Sequence, residues 1–348
     1  MYTLGINFSH HASVALLKDN EVILFVLEER LNRNKNYIGL PIECLRLVKQ
    51  YTDRIDLVVG ISGKRKSYND AIKFLHDDGV NVKRHILNNP AHHLYHASAG
   101  FYMSGFDEAS CLVIDGAGAI NCFRDSDKIR ASETTSIYET TFGGGFKNTY
   151  KRFTVGIYDC NFKFLYDKGI TLKTPFDLTE EEKKAFRQKY PPIERMDIST
   201  VFDIGFLYSI YTYKLQFKVH GEGKLMGLSG YGRLPDATHG QIKAYEIQQL
   251  LEKEFIKKVE LCRSNNIVLS GGCALNILGN SHIKRIFPHL NIYIDPVATD
   301  GTLSLGAAAH SFYKETNCKD RLIFNPYLGP RYSITRDHVN ECARKYSI

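Results

Sequence analysis

At 348 residues, with 43% hydrophobic and 24% charged side chains, the chain has a globular composition and enough length for two lobes. The net charge of +7 comes from basic residues spread along the chain, which argues against a dedicated nucleic-acid-binding arm while leaving an anionic partner open. There is no run of about 18 apolar residues, no leader-like N-terminus and no CxxC among the eight cysteines, so we expect a cytoplasmic protein without a membrane partner, zinc finger or disulfide framework.

In chain order, YTLGIN reads as a strand. The apolar runs on either side of KDNE then read as a β-hairpin with Asp19 and Asn20 in the turn. PIECLRLVKQYT has helical spacing, RIDLVVGIS is a buried strand, and AIKFLHDDG is a short helix ended by glycine. The stretch HHLYH follows. His92 and His96 are four residues apart, so on a helix they share one face and can grip a single metal ion, whereas His93 points elsewhere. Such a pair needs a third ligand. The best carboxylate is Asp300 in PVATDGTLSLG, which would otherwise serve as a simple helix N-cap.

ASCLVIDGAGAINCFRD is a second opening: strand, Asp-Gly turn, strand. Asp115 stands at the strand end, where it can hold a cation or orient a phosphate, or simply shape a hairpin turn. Gly116 and Gly118 flank Ala117 and let the backbone approach a ligand closely. GINFSHHASVALL and CLVIDGAGAINCF share one plan, so we expect two related α/β lobes around a central cleft. The first covers residues 1–106. The second covers 107–310 with an insertion around 143–200, in which Thr179 is an N-cap, and 311–348 form a C-terminal segment. Residues 241–263 form a long amphipathic helix. NNIVLSGGCALN and NIYIDPVATDGTLSLGAAAHSF each run from a strand through a turn to a helix start, where backbone amides bind phosphate well.

Taken together, GINFSHHASVALL, LEERLNRNK, HHLYHASAGFYMSGF, LVIDGAG, GEGKLMGLSGYG, LSGGCALN and PVATDGTLSLGAA closely resemble the O-carbamoyltransferases of the nodulation-factor, cephalosporin and tobramycin type, across residues 3 to 332. The resemblance implies an actin-like ATPase fold, similar to the universal tRNA threonylcarbamoyladenosine protein. It also implies an adenylate-forming domain that joins carbamoyl phosphate and ATP, with Mg²⁺, into carbamoyl-adenylate. The lobe pair would pass the carbamoyl group to an acceptor hydroxyl and release AMP. Carried onto this chain, His92, His96 and Asp300 match the metal ligands, with Fe²⁺ the expected ion. His10 matches a residue beside the transferring carbamoyl, as base or as positioning group. Asp115, Gly116, Gly118, Lys224, Gly271, Gly272 and Asn276 match nucleotide-binding positions.

The chain departs from the family pattern in reading His10-His11 where His-Asp is usual, and Lys35-Asn36 where Lys-His is common. The roles of Glu28, Glu29 and Arg30 stay open between a structural ion-pair cluster and acceptor contact. The chain ends at Ile348, soon after YLGPRYS, so the adenylate-forming domain is expected on a longer chain or a separate protein. The acceptor is expected to be a small molecule or a hydroxymethylated pyrimidine nucleotide or DNA. Three alternatives compete: a tRNA threonylcarbamoyltransferase, a small-molecule kinase using Mg²⁺ and Asp115, and a nucleotide-sensing module without turnover.

Overall fold

The computed structural model describes residues 1–124, 129–157, 178–218, 220–328 and 335–346. Its first strands are buried on both faces: in β1 (Tyr2–Asn7) and β2 (Ser13–Lys18) nearly every residue is sealed, which needs helices above and below the sheet. β3 (Glu21–Leu27) completes an antiparallel meander with the expected hairpin turn, where Asp19 takes a left-handed φ of 53°. The carboxylate of Glu28, at the start of α1 (Glu28–Asn32), turns inward and accepts from the amides of Glu43 and Cys44 at 3.2 and 2.9 Å. It thereby caps α2 (Ile42–Val48), which settles its role as structural.

The strand expected at residues 54 to 62 is broken into β4 (Arg54–Ile55) and β5 (Leu57–Ile61). α3 (Arg65–Asp77) starts earlier than its apolar pattern suggested and ends before Gly79, whose φ is 75°. β6 (Asn81–Val82) pairs with β4 in a small separate sheet, and β7 (His85–Leu87) leads to α4 (His92–Ser104). The main sheet runs in the order β3-β2-β1-β5-β7, with β1, β5 and β7 parallel.

The second lobe repeats this plan. β8 (Glu108–Ile114) pairs with β10 (Ile129–Thr141), which pairs with β11 (Gly145–Ile157), all antiparallel. β13 (Asn266–Ser270) and β14 (Asn291–Ile294) then add parallel to β8, as β5 and β7 add to β1. β9 (Ile120–Arg124) lines up on β10 beyond the end of β8, and β12 (Arg195–Ser199) extends the far edge. Of the expected insertion at 143–200, β11 and β12 therefore belong to the sheet itself, because their residues pair in register with its strands. α5 (Glu180–Arg187) starts at Thr179 with a full capping box, and residues 158–177 lie outside the described chain. The doubled order of three antiparallel strands, then alternating helix and parallel strand, is the actin-like ATPase fold.

Between β12 and β13 lie α6 (Ile204–Lys214), α7 (Glu222–Ser229) and α8 (His239–Val259); α9 (Ile277–Ile286) joins β13 to β14. α10 (Leu303–Thr316) follows β14, and α11 (Arg336–Tyr346) ends the described chain. The expected boundary at residue 310 falls inside α10, which is continuous to Thr316.

The two lobes exchange their closing helices. α4, which ends the first lobe, packs on β8 and β13, with Gly100 against Val268. α10, from the second lobe, packs on β1, β2 and β5, with Gly5 against the Ser304 carbonyl. The two helices also cross each other. Between them His310, largely buried and 3.2 Å from Ser98 Oγ, has its pKa lowered by burial from 6.5 to about 4. An unfolded histidine protonates near 6.5 and this one only near 4, so its contribution to stability is complete above pH 6.5 and is lost as the pH falls through that window. His310→Gln is therefore expected to show a shallower loss of Tm between pH 7 and about 4.5 than wild type. Parallel Tm curves would contradict it.

Candidate metal centre

α4 begins at His92, so His92 and His96 project one turn apart from its first turns, as their spacing requires. Two carboxylates meet them. Asp115 follows β8, and Asp300 opens a short 3₁₀ turn before α10. His92 Nε2 lies 3.3 Å from Asp115 Oδ2 and 3.5 Å from Asp300 Oδ1; His96 Nε2 lies 3.8 and 3.5 Å from the same atoms. Among the described residues these four form the group whose ligand atoms all lie within 4.8 Å of one another. Four donors placed tetrahedrally around one ion, at bonds of about 2.1 Å, stand about 3.4 Å apart, so the spacing already suits a divalent cation.

The outer contacts orient both rings. His96 Nδ1 is 3.4 Å from Ser270 Oγ, which donates to Asp295 Oδ2 at 2.8 Å. Ser270 is thus placed to accept from His96 Nδ1–H, which turns His96 Nε2, buried without a hydrogen-bond partner, toward the two carboxylates. His92 Nδ1 is held 3.3 Å from Ser62 Oγ. Burial opposes charge on both carboxylates. Even so, His92 beside Asp115, and His10 with His92 beside Asp300, hold them below the ordinary carboxylate range. Burial alone would lower His92, but Asp300 and Asp115 push it up to about 10. A converging pair of charged carboxylates with two imidazoles is a donor set that can hold a cation.

The competing simple readings of the two aspartates do not hold. Thr299, whose hydroxyl accepts from the Gly301 amide at 3.2 Å, is the cap, which leaves the Asp300 side chain free for the centre. β8 and β9 each pair with β10 rather than with each other, so Asp115 is not a hairpin residue. Instead the Gly116 amide, at 2.8 Å, and the Gly272 amide, at 3.4 Å, fix its Oδ1, turning Oδ2 toward the histidines.

His10 joins from the first lobe: its Nδ1 is 3.4 Å from Asp300 Oδ2, to which Ser9 Oγ donates at 2.5 Å. His220, from the other lobe, stacks on His10 with ring centroids 5.0 Å apart, and His11 lies 5.1 Å from His10. Burial, with His10 beside it, lowers the His11 pKa to about 4, and the same two causes lower His220.

The other nucleotide positions divide. Gly271 (φ 82°) is packed so tightly that a side chain would strike the Ile114 carbonyl at 2.6 Å, and a side chain on Gly272 would press on Asp115. Gly116 faces open space, whereas Gly118 abuts His93. Asn276 is turned inward. Its amide caps α9 through Gly279 and bonds Gln248 and Tyr208, so its polar atoms are engaged within the protein. Lys224 is exposed on α7, and no described contact joins it to the centre. Sequence reasoning missed Ser9, His220, Ser270 and Asp295, though Ser9 lies inside GINFSHHASVALL, Ser270 inside LSGGCALN, and His220 directly before GEGKLMGLSGYG.

Residues 236–309 match the family model described as carbamoyltransferase N-terminus. Over that stretch the chain is similar to the N-terminal part of carbamoyltransferases. It is 24% identical to nodulation protein NolNO of Sinorhizobium fredii, over 86% of this chain and 46% of that protein. It is also 26% identical to the uncharacterized protein MJ1051 of Methanocaldococcus jannaschii, over 88% of this chain and 56% of that one. The chain thus spans about half the length of these two relatives. Full-length HypF in its phosphate- and nucleotide-bound form overlaps it loosely, with a TM-score of 0.45 and 13% identity over 91% of this chain and 56% of HypF. No helix among the described residues is long and apolar enough to cross a membrane.

Proposed function

We propose that the chain is the transfer half of an O-carbamoyltransferase, moving the carbamoyl group of carbamoyl-adenylate to an acceptor hydroxyl. The observation that carries this reading is the convergence of His92, His96, Asp115 and Asp300 beside His10, in a chain similar over residues 236–309 to the N-terminal part of carbamoyltransferases. In the reaction the acceptor oxygen bonds to the carbamoyl carbon as that carbon's bond to the phosphate oxygen breaks. The products are the O-carbamoyl compound, AMP and a proton. His92, His96, Asp115 and Asp300 would hold Fe²⁺, which when bound supplies Lewis acidity toward the carbamoyl carbonyl without redox change.

This chain's own residues do the rest. His10, oriented by Asp300 Oδ2, takes the proton from the acceptor hydroxyl. Asp115 is held by the Gly116 and Gly272 amides, so the nucleotide turn and the metal ligand form one unit. AMP would lie along the Gly271–Gly272 turn, whose close packing on Ile114 and Asp115 sets the course of its backbone. The donor is made from carbamoyl phosphate and MgATP by an adenylate-forming domain or protein, and the acceptor is a small molecule or a hydroxymethylated pyrimidine nucleotide or DNA.

The test is calorimetric titration of a non-hydrolysable carbamoyl-adenylate analogue into anaerobic Fe²⁺-loaded protein and into chelator-stripped protein. Binding that needs the metal is the expected result. Tight binding of MgATP to stripped protein, with no analogue binding to either, would replace this reading with the kinase.

A further inference from the structure

α4 carries two of the four ligands, yet it begins without a cap of its own. Its N-cap residue is Ala91, which offers no side-chain acceptor, and the second residue, His93, is completely buried. The His93 amide is met from another element. Glu133, on β10, is 1% exposed, and its Oε2 accepts from the His93 amide at 3.4 Å. Its Oε1 accepts from Ser136 Oγ at 3.3 Å, and that hydroxyl lies 2.9 Å from His93 Nδ1. Lys151, also buried, pairs with the same carboxylate and keeps it charged.

The backbone of this residue reaches the other ligand source. The Glu133 carbonyl accepts from the Gly118 amide at 2.7 Å, and the Glu133 amide donates to the Ala119 carbonyl at 3.0 Å. One residue on, the Thr134 carbonyl accepts from the Asp115 amide at 2.9 Å. This bonding falls where the register between β10 and β11 shifts, between Glu133 and Thr135. A bulge re-aims a strand's groups, and here it lets side chain and backbone serve two neighbours at once.

We propose that Glu133 is the positioning residue of the metal centre: its buried carboxylate sets the start of the helix bearing His92 and His96, and its backbone sets the loop bearing Asp115. This rests on reading the four-residue cluster as a metal site. A wire of the form carboxylate, helix amide, ligand pair places Glu133 one step behind the ligands, where loss of a supporting group weakens metal binding by about 10- to 100-fold. It also gives His93 its function: with Glu133 and Ser136 it clamps the helix start, and it is not a ligand.

The probe is Co²⁺, titrated into wild type, Glu133→Gln and the double variant His92→Ala, His96→Ala, with affinity read from the visible d–d absorption. Glu133→Gln is expected to bind Co²⁺ about 10- to 100-fold more weakly, with a shifted d–d spectrum, while circular dichroism stays that of the folded protein. If Glu133→Gln does not fold, Glu133→Asp is measured instead. It keeps the charge opposite Lys151, withdraws the carboxylate from the His93 amide, and is expected to show the same weakening. Wild-type affinity and spectrum in a folded Glu133 variant would overturn the proposal, leaving Glu133 a stability residue. Failure of wild type to bind Co²⁺ more tightly than the double-alanine variant would instead overturn the metal reading itself.

Discussion

His96→Ala is expected to abolish metal-dependent stabilisation while leaving the stability of the metal-free protein nearly unchanged or slightly lower. The two halves of this result have separate causes. In the protein alone, His96 Nε2 is buried without a hydrogen-bond partner, so deleting it removes no hydrogen bond at that atom. The Nδ1 contact to Ser270 at 3.4 Å is long, and Ser270 keeps its bond to Asp295. What remains is a cavity term and the loss of the 3.5 and 3.8 Å approaches of His96 to Asp300 and Asp115, beside which His92 stays in place. With the ion present, the balance differs. Losing an outer-sphere partner typically weakens metal binding about 10- to 100-fold, so losing a ligand is expected to weaken it at least about 100-fold. At a free metal concentration of about 100 times the wild-type Kd, wild type gains about 2.7 kcal/mol and the variant almost none. The check is a pair of thermal melts, with and without Fe²⁺ or Co²⁺. A variant whose Tm rises with metal as wild type does would remove His96 from the centre.

The parts of this molecule that were readable in its sequence are those governed by local spacing. The KDNE hairpin follows from apolar runs around a turn, and the shared face of His92 and His96 follows from four residues of helix. Asp300 was legible as a carboxylate at a Gly-rich helix start, but its release from capping duty depends on Thr299, one residue earlier. Asp115 was placed with the nucleotide turns. Its Oδ2 faces the histidines because Gly272, far along the chain, donates to its Oδ1, and because Gly205 of α6 lets that helix press on the Asp115 carbonyl. Those are long-range contacts with no local signal.

Asn276 carries a second, local signal: an Asn just before the apolar start of a helix is an ordinary N-cap, and it caps the helix through the Gly279 amide. Glu133 was hidden in a different way. RASETTS reads as a polar edge, whereas β10 is covered on both sides, and the buried Lys151 that makes Glu133 tolerable lies on the neighbouring strand. Nor does any periodicity in α4 or α10 announce that each lies on the other lobe's sheet.

That exchange underlies the remaining large effect. Gly306, in the first turn of α10, packs directly on the Tyr95 carbonyl of α4, and a methyl group there would fall far inside van der Waals contact with backbone atoms. Backbone cannot swing aside as a flexible side chain does, so Gly306→Ala must separate the two helices. Overpacking of this kind costs about 1–3 kcal/mol, and with backbone as the obstacle about 3 kcal/mol is expected. The damage should extend beyond stability. Tyr95 precedes His96, and Gly306 lies six residues after Asp300, so the contact sits between the two ligand-bearing segments. Moving α10 off α4 lengthens the separation of His96 Nε2 from Asp300 Oδ1, now 3.5 Å, and breaks a spacing suited to one ion. Gly306→Ala is therefore expected to lower Tm and, in the folded fraction, to weaken Co²⁺ binding by at least about 10-fold, as loss of ligand support does. A destabilised variant with wild-type metal affinity would show that the centre holds its geometry independently of the helix crossing. A variant with unchanged Tm would show that the helices can part at this glycine without cost.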